Sequence, residues 1–220
     1  MARFRVYHTE GVILRRLDFG EADRIVVVFT PGRGKVETVA KGVRRITSRR
    51  AGHLEPLTRA RLLLAQGRQL DVITQAEALD LFPNLRADLG RTAAGFYLAE
   101  LVDRFTEPQQ PNPALYRHLV EGLKLLDLGQ DPDLVRRYFE LRLLDAVGFR
   151  PELYRCLGCG RELKPTTNYF SPAGGGVLCP DCGGRNRPVS VGALKVLRFI
   201  QSAPAYDQVA RLRVQPGLMR

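Results

Sequence analysis

Near residue 80 the hydrophobic pattern of this chain changes period. Up to about residue 78 apolar residues alternate or run continuously; from residue 84 they recur every three or four positions. Alternation places side chains on opposite faces of a strand, whereas a three-to-four spacing returns them to one face of a helix. One architecture cannot serve both halves. The reading is an α+β multidomain chain: a β domain over 1–80, a helical domain over 81–150, and two further segments, 151–187 and 188–220.

The β half holds five strand candidates. "VYHTEGVILRR" alternates, and "ADRIVVVFTP" is a continuous apolar run, as expected of a strand buried on both faces. "KVETVAKGV", "HLEPLTRARLLLAQG" and "RQLDVITQAEAL" complete the set, separated by short glycine-containing turns. Five short strands suit a small closed barrel such as the OB-fold, whose face and loops bind oligonucleotides. An SH3-like barrel fits the strand count almost as well.

In the helical half, Ala94, Tyr97, Leu98, Leu101, Val102 and Phe105 line one face. Leu115, Leu119, Leu123 and Leu126 line a second, and Leu134, Tyr138, Leu141 and Leu144 a third, with Asp131 or Asp133 as its cap. Val191, Leu194, Leu197 and Ile200 form a fourth behind the cap Ser190. Striped helices bury one another in a bundle, so the aromatic residues on the stripes are read as core.

Between the third and fourth stripes lie Cys156, Cys159, Cys179 and Cys182, two CxxC pairs. Their spacing is that of a four-cysteine zinc site, here a module inserted among the helices. Zn²⁺ takes four tetrahedral ligands, and each CxxC turn presents two thiolates. All four cysteines of the chain are used, which leaves no open position for catalysis and points to one structural zinc per chain. Gly158, Gly160 and Gly183 give the knuckles their conformational freedom.

The formal net charge is +11, which favours a polyanionic partner, nucleic acid before membrane. Residues 1–80 and 188–220 carry the excess, and the middle of the chain is close to neutral. Within the β domain the charge sits in Arg33, Lys35, Lys41, Arg44, Arg45, Arg49 and Arg50, opposed in that stretch by Glu37 alone. No apolar run approaches the roughly 18 residues of a membrane span, and "MARFRVYHTE" lacks the apolar core of a signal peptide. The expected location is the cytoplasm, in association with the nucleoid, where thiols stay reduced.

Little in the chain suggests catalysis. "TPGRGKV" fails the phosphate-loop pattern at both ends, and "DFG" at 18–20 lies too early for a kinase and has no HRD partner. Asp18, Glu21 and Asp23 could share a divalent metal as in a nuclease, although a polar turn accounts for them more simply. His8, His53 and His118 are scattered, with no nucleophile beside them. The chain is expected not to be an enzyme.

"GEADRIVVVFTPGRGKVETVAKGVRR" followed by "SRRAGHLEPL" resembles the N-terminal signature of the RecO family of bacterial recombination mediator proteins. The resemblance runs on through the helices and the paired CxxC insert, so it spans the chain. It implies an OB-fold, a helical domain and a zinc module. It also implies binding to single- and double-stranded DNA and annealing of complementary strands. A further implication is action with RecR, and often RecF, to load the RecA filament onto DNA coated by single-strand binding protein. The seven basic residues of 33–50 fall in the family's expected DNA-binding region, where Phe19, Phe29 or Tyr7 would stack on bases if exposed. A contact with the acidic tail of single-strand binding protein is also implied. Arg136, Arg137, Arg142, Lys195 and Arg198 are the basic candidates for it. Family members continue with another C-terminal helix, so a longer tail after "RLRVQPGLMR" is expected. Another zinc-containing RNA-binding module would show the same charge and zinc pattern.

Overall fold

The computed structural model describes residues 5–213. They fall into two compact units that divide after Pro132. Residues 214–220, and with them the expected C-terminal extension, lie outside the described residues.

Five strands open the first unit: β1 (Val6–Phe19), β2 (Asp23–Thr30), β3 (Gly34–Ala40), β4 (Arg59–Ala65) and β5 (Asp71–Asp80). They close into a barrel in the order β1-β2-β3-β5-β4. Every neighbouring pair is antiparallel except β3 with β5. This is the OB-fold, in which a long first strand serves both halves. Val6–Val12 of β1 pair with β4, and Val12–Phe19 pair with β2. A bulge between Ile13 and Arg15 bends the strand where it changes partner. Gly11 sits at that crossing; a Cβ there would lie 2.4 Å from Val28 Cγ1.

Alternation sorts the strand residues into two layers. Ile13, Val26, Val28, Ala40, Leu62, Leu64 and Ile73 fill the barrel. Val27 and Phe29 point the other way and are nevertheless fully buried, which confirms the two-faced reading of this strand. Their cover is helical. After α1 (Pro83–Ala87), α2 (Leu89–Phe105) and α3 (Pro113–Asp127) pack together and against the barrel. The Phe29 and Tyr116 ring centroids lie 6.3 Å apart. Asp88 and Asn112 cap α2 and α3 by accepting from Arg91 N and Leu115 N, at 2.8 and 3.0 Å. Asp103 of α2 clamps the barrel through Arg15 Nε at 2.7 Å and Lys35 Nζ at 3.0 Å. Phe105 departs from the expected stripe: in the last turn of α2 it is 45% exposed.

The fourth strand begins later than its sequence suggests. "HLEPL" forms no strand; a turn of 3-10 helix, Ala51–Leu54, occupies its start, and Pro56 and the left-handed Leu57 (φ 67°) separate it from Arg59. Leu54 is buried in the barrel core. Glu55 beside it receives Arg16, with Arg24 Nη1 at 3.8 Å.

The second unit contains α4 (Pro132–Ala146), β6 (Asn168–Ser171), β7 (Gly176–Leu178), α5 (Pro180–Gly183), β8 (Arg187–Val189), α6 (Val191–Ser202) and α7 (Tyr206–Val209). Ser190 caps α6 as expected, its Oγ accepting from Ala193 N at 3.1 Å. Tyr138 of α4 meets Tyr206 of α7 edge to face, with ring centroids 5.5 Å apart. Leu143 of α4 is buried, and Leu144 from the expected stripe is only half-buried. Strands β7, β6 and β8 form a small antiparallel sheet in that order. Its core of Leu153, Cys156, Leu163 and Val177 is completed by Leu194 of α6.

Candidate nucleic-acid interface and metal centre

The basic segment 41–50 leaves β3 and is fastened at both ends. Gly42 N donates to Asp23 Oδ1 at 2.7 Å, and Arg44 N to Ala22 O at 2.9 Å. Both acceptors belong to the β1–β2 hairpin. Arg44 reinforces the tie, its guanidinium reaching Gly20 O at 3.2 Å and Asp18 at 3.4 Å. At the other end Arg50 donates to Ile73 O at 2.6 Å and to Lys41 O at 2.7 Å. Val43 is buried as an anchor in the barrel core. A loop so held presents Lys41, Arg44, Arg45 and Arg49 to solvent together with a fully exposed Ile46.

The other basic residues from 33–50 have different surroundings. Lys35 is half-buried and committed to Asp103. Arg50 spends its donors on backbone carbonyls. Arg33 stands in the β2–β3 turn, at the opposite end of β2 from the hairpin, with its guanidinium 3.9 Å from the Tyr7 ring centroid. Tyr7 in turn donates to Asp71, and burial, reinforced by that carboxylate, pushes its phenol above the ordinary range. Among the three aromatic candidates, Phe29 is fully buried, Tyr7 is engaged, and Phe19 is 52% exposed.

Two of the hairpin's three acidic residues, Asp18 and Asp23, are engaged by the same network, and Glu21 is exposed. Hydrogen bonding from Arg24 holds the Asp18 carboxyl below its usual range, with Arg44 assisting. Asp23 accepts the Gly42 amide. Among the described residues the one cluster with metal-ligand geometry is that of the cysteines.

Those four Sγ atoms lie within 4.8 Å of one another. Cys159 and Cys179 are 3.9 Å apart, against about 3.8 Å between sulfurs of a tetrahedron with metal–sulfur bonds of about 2.3 Å. Gly158 N and Cys179 N donate to Cys156 Sγ at 3.4 and 3.3 Å. Burial would push the Cys156 thiol up, but backbone N–H groups outweigh it and bring it down to about 6. Arg161 Nε, 3.3 Å from Cys159 Sγ, lowers that thiol, and Arg161 is itself braced by Asp181 at 3.0 Å. Cys182 goes the other way, to about 12, because its thiol donates to Cys179 among sulfurs that cannot all ionise unaided. A divalent cation removes that restraint. The residues therefore fit a closed, four-thiolate metal site. Gly160 takes the positive φ of its knuckle at 71°. Gly183 serves a different need: a Cβ there would lie 2.2 Å from the Tyr169 ring.

The basic candidates of the second unit have separate partners. Arg136 pairs with Asp133 and Arg137 with Glu140. Arg142 donates to Ala203 O and lies over the Tyr138 ring. Arg198 donates to Leu153 O at 2.8 Å and covers the Tyr154 ring. Lys195 is exposed on α6.

Comparison with known proteins agrees with this architecture. Residues 1–82 match the family model described as Recombination protein O N terminal, and residues 86–219 match Recombination protein O C terminal. A DNA repair protein RecO from a Roseiflexus species is 48% identical over 98% of this chain and 76% of its own length. Proteins of the same name from Desulforudis audaxviator and Dehalococcoides mccartyi are 41% and 40% identical, each over 97% of this chain and over 86% and 85% of their own lengths. An OB barrel, a helical part and a four-cysteine cluster, in that order and matched along nearly the whole chain, place this protein in the RecO family of DNA repair proteins.

Proposed function

We propose that this protein is a non-catalytic mediator of DNA recombination that binds single- and double-stranded DNA and anneals complementary strands. The observation that carries the reading is the basic segment 41–50, which the hairpin and β5 hold on an OB barrel with four cationic side chains outward. Such a surface binds phosphates by charge and reads no sequence. Arginine grips phosphate with two parallel donors, and lysine acts as a compact point charge. Asp18 is engaged by Arg24 and Arg44, and Asp23 by the Gly42 amide, which disfavours a nuclease centre there.

The four thiols take one zinc, which fixes the small module by coupling its folding to metal binding. In the cytoplasm, family membership supports a partnership with RecR and RecF, contact with the acidic tail of single-strand binding protein, and delivery of RecA to coated DNA. In the second unit Lys195 is the basic candidate most open to such a tail.

Mixing fluorescently labelled complementary strands with the protein, without ATP, tests the proposal. The expected result is annealing faster than the spontaneous rate. Annealing that needs ATP, or strand cleavage in the presence of Mg²⁺, would overturn it.

A further inference from the structure

The four thiols of the metal centre are held unequally. Cys156 is buried in the core of the module, and backbone amides of Gly158 and Cys179 donate to its sulfur. Cys179 and Cys182 are half-buried. Cys159 is exposed, and the donor at its sulfur is a side chain, Arg161 Nε at 3.3 Å. The same guanidinium crosses to the other knuckle, where Nη2 meets Asp181 Oδ2 at 3.0 Å. Asp181 stands in α5, between Cys179 and Cys182. One planar fork therefore spans both CxxC pairs. Its base is fixed as well, because Cys156 N donates to Arg161 O at 2.9 Å.

The Arg161 and Asp181 side chains are 68% and 75% exposed. An ion pair so open to water contributes little by itself. Its setting changes the sum. Four thiolates around a divalent cation leave a net negative charge. A guanidinium donating to one of those sulfurs makes a charge-assisted hydrogen bond, stronger than a neutral one. Asp181 has the opposite sign, and alone beside thiolates it would repel them. Its pairing gives it a use: it holds the second edge of the guanidinium, so that Nε stays aimed at Cys159.

We propose that Arg161, oriented by Asp181, is a positioning residue of the metal centre that bridges its two knuckles and secures the exposed ligand Cys159. The proposal rests on the zinc reading above and divides the work within the site. Backbone amides hold Cys156 at the buried side, and a side-chain pair holds Cys159 at the open one.

Competition between the full chain and a chromophoric chelator measures zinc affinity. Arg161→Gln should weaken it about ten-fold, as for other hydrogen-bond partners of metal ligands. Arg161→Lys keeps the charge but not the fork, and should recover only part of the loss. Asp181→Asn should cost less than Arg161→Gln, since it removes a repulsive carboxylate along with the brace. Added to Arg161→Gln it should cost nothing more, because a residue that acts through Arg161 then has nothing to orient. Arg185→Gln removes the same charge from another exposed position of the module and should leave affinity close to wild type. With Co²⁺ as the probe, loss of the hydrogen bond to Cys159 should move the thiolate-to-metal charge-transfer band to longer wavelength in Arg161→Gln and not in Arg185→Gln. Wild-type affinity or an unmoved band in Arg161→Gln, an equal loss in Arg185→Gln, or additive losses at Arg161 and Asp181 would overturn the proposal and leave the zinc site standing. If the wild-type protein takes up neither zinc nor cobalt, the zinc reading fails and the proposal with it.

Discussion

Reversing Lys41, Arg45 and Arg49 to glutamate tests the loop with a number attached. These three side chains are exposed, and each can neutralise one phosphate. Arg44 is left in place because it ties the loop to Gly20 and Asp18. Arg50 is left because it closes the loop onto Ile73 and Lys41. Each phosphate contact contributes about 0.7 to the slope of log K against log salt for single strands. Loss of three should flatten that slope by about 2. Between 50 and 200 mM salt, wild-type affinity should therefore fall about twenty-fold more than the variant's. Fluorescence anisotropy of a labelled oligonucleotide across a salt series gives the slope, and several base compositions should give the same change. Arg50→Glu is the contrasting perturbation. It removes two charged hydrogen bonds to carbonyls, each contributing about 1.5–3 kcal/mol, so its main effect should be a lowered melting temperature. An unchanged slope in the triple variant, with its fold intact, would refute phosphate binding by this loop.

Cys156→Ser should eliminate stoichiometric bound zinc and increase hydrogen exchange across 151–187; full metal content by elemental analysis would contradict the closed four-thiolate site. At Asp103, burial pushes the carboxyl up, but hydrogen bonds from Arg15 and Lys35 outweigh it and hold it below its ordinary value. A depressed carboxyl contributes stability above its unfolded value of about 4, and that stability is lost as pH falls through the lower folded value. Asp103→Asn should therefore cost about 1–3 kcal/mol at neutral pH in denaturant titrations and less in acid, since it leaves two cations without their partner. An equal cost at pH 7 and pH 3 would contradict the clamp.

The features legible in the sequence were those encoded locally. The run from Ile25 to Thr30 announced a strand covered on both sides, and the structure supplies a barrel on one face and helices on the other. Ser190 was legible as a cap because its partner lies three residues away. The paired CxxC spacing placed four sulfurs together because each knuckle is a local turn. Long-range choices were hidden. Lys35 resembles its basic neighbours in sequence, yet its partner is Asp103, 68 residues further on. Arg50 differs from Arg49 only in which carbonyls the fold brings near it. Strands β7 and β8 have three residues each, too few for alternation to register. The apolar row Leu17–Ile25–Val39–Val72 on the barrel depends on register across four strands, a relation no single segment contains.

The location of bound DNA tests the account most directly. Hydrogen exchange read by mass spectrometry, with and without a saturating 15-nucleotide oligonucleotide, reports it in one measurement. The account predicts protection in 41–50 and in the hairpin around 17–24, with little change across the cysteine module at 156–182. Protection confined to the second unit, with 41–50 exchanging as in the free protein, would contradict it.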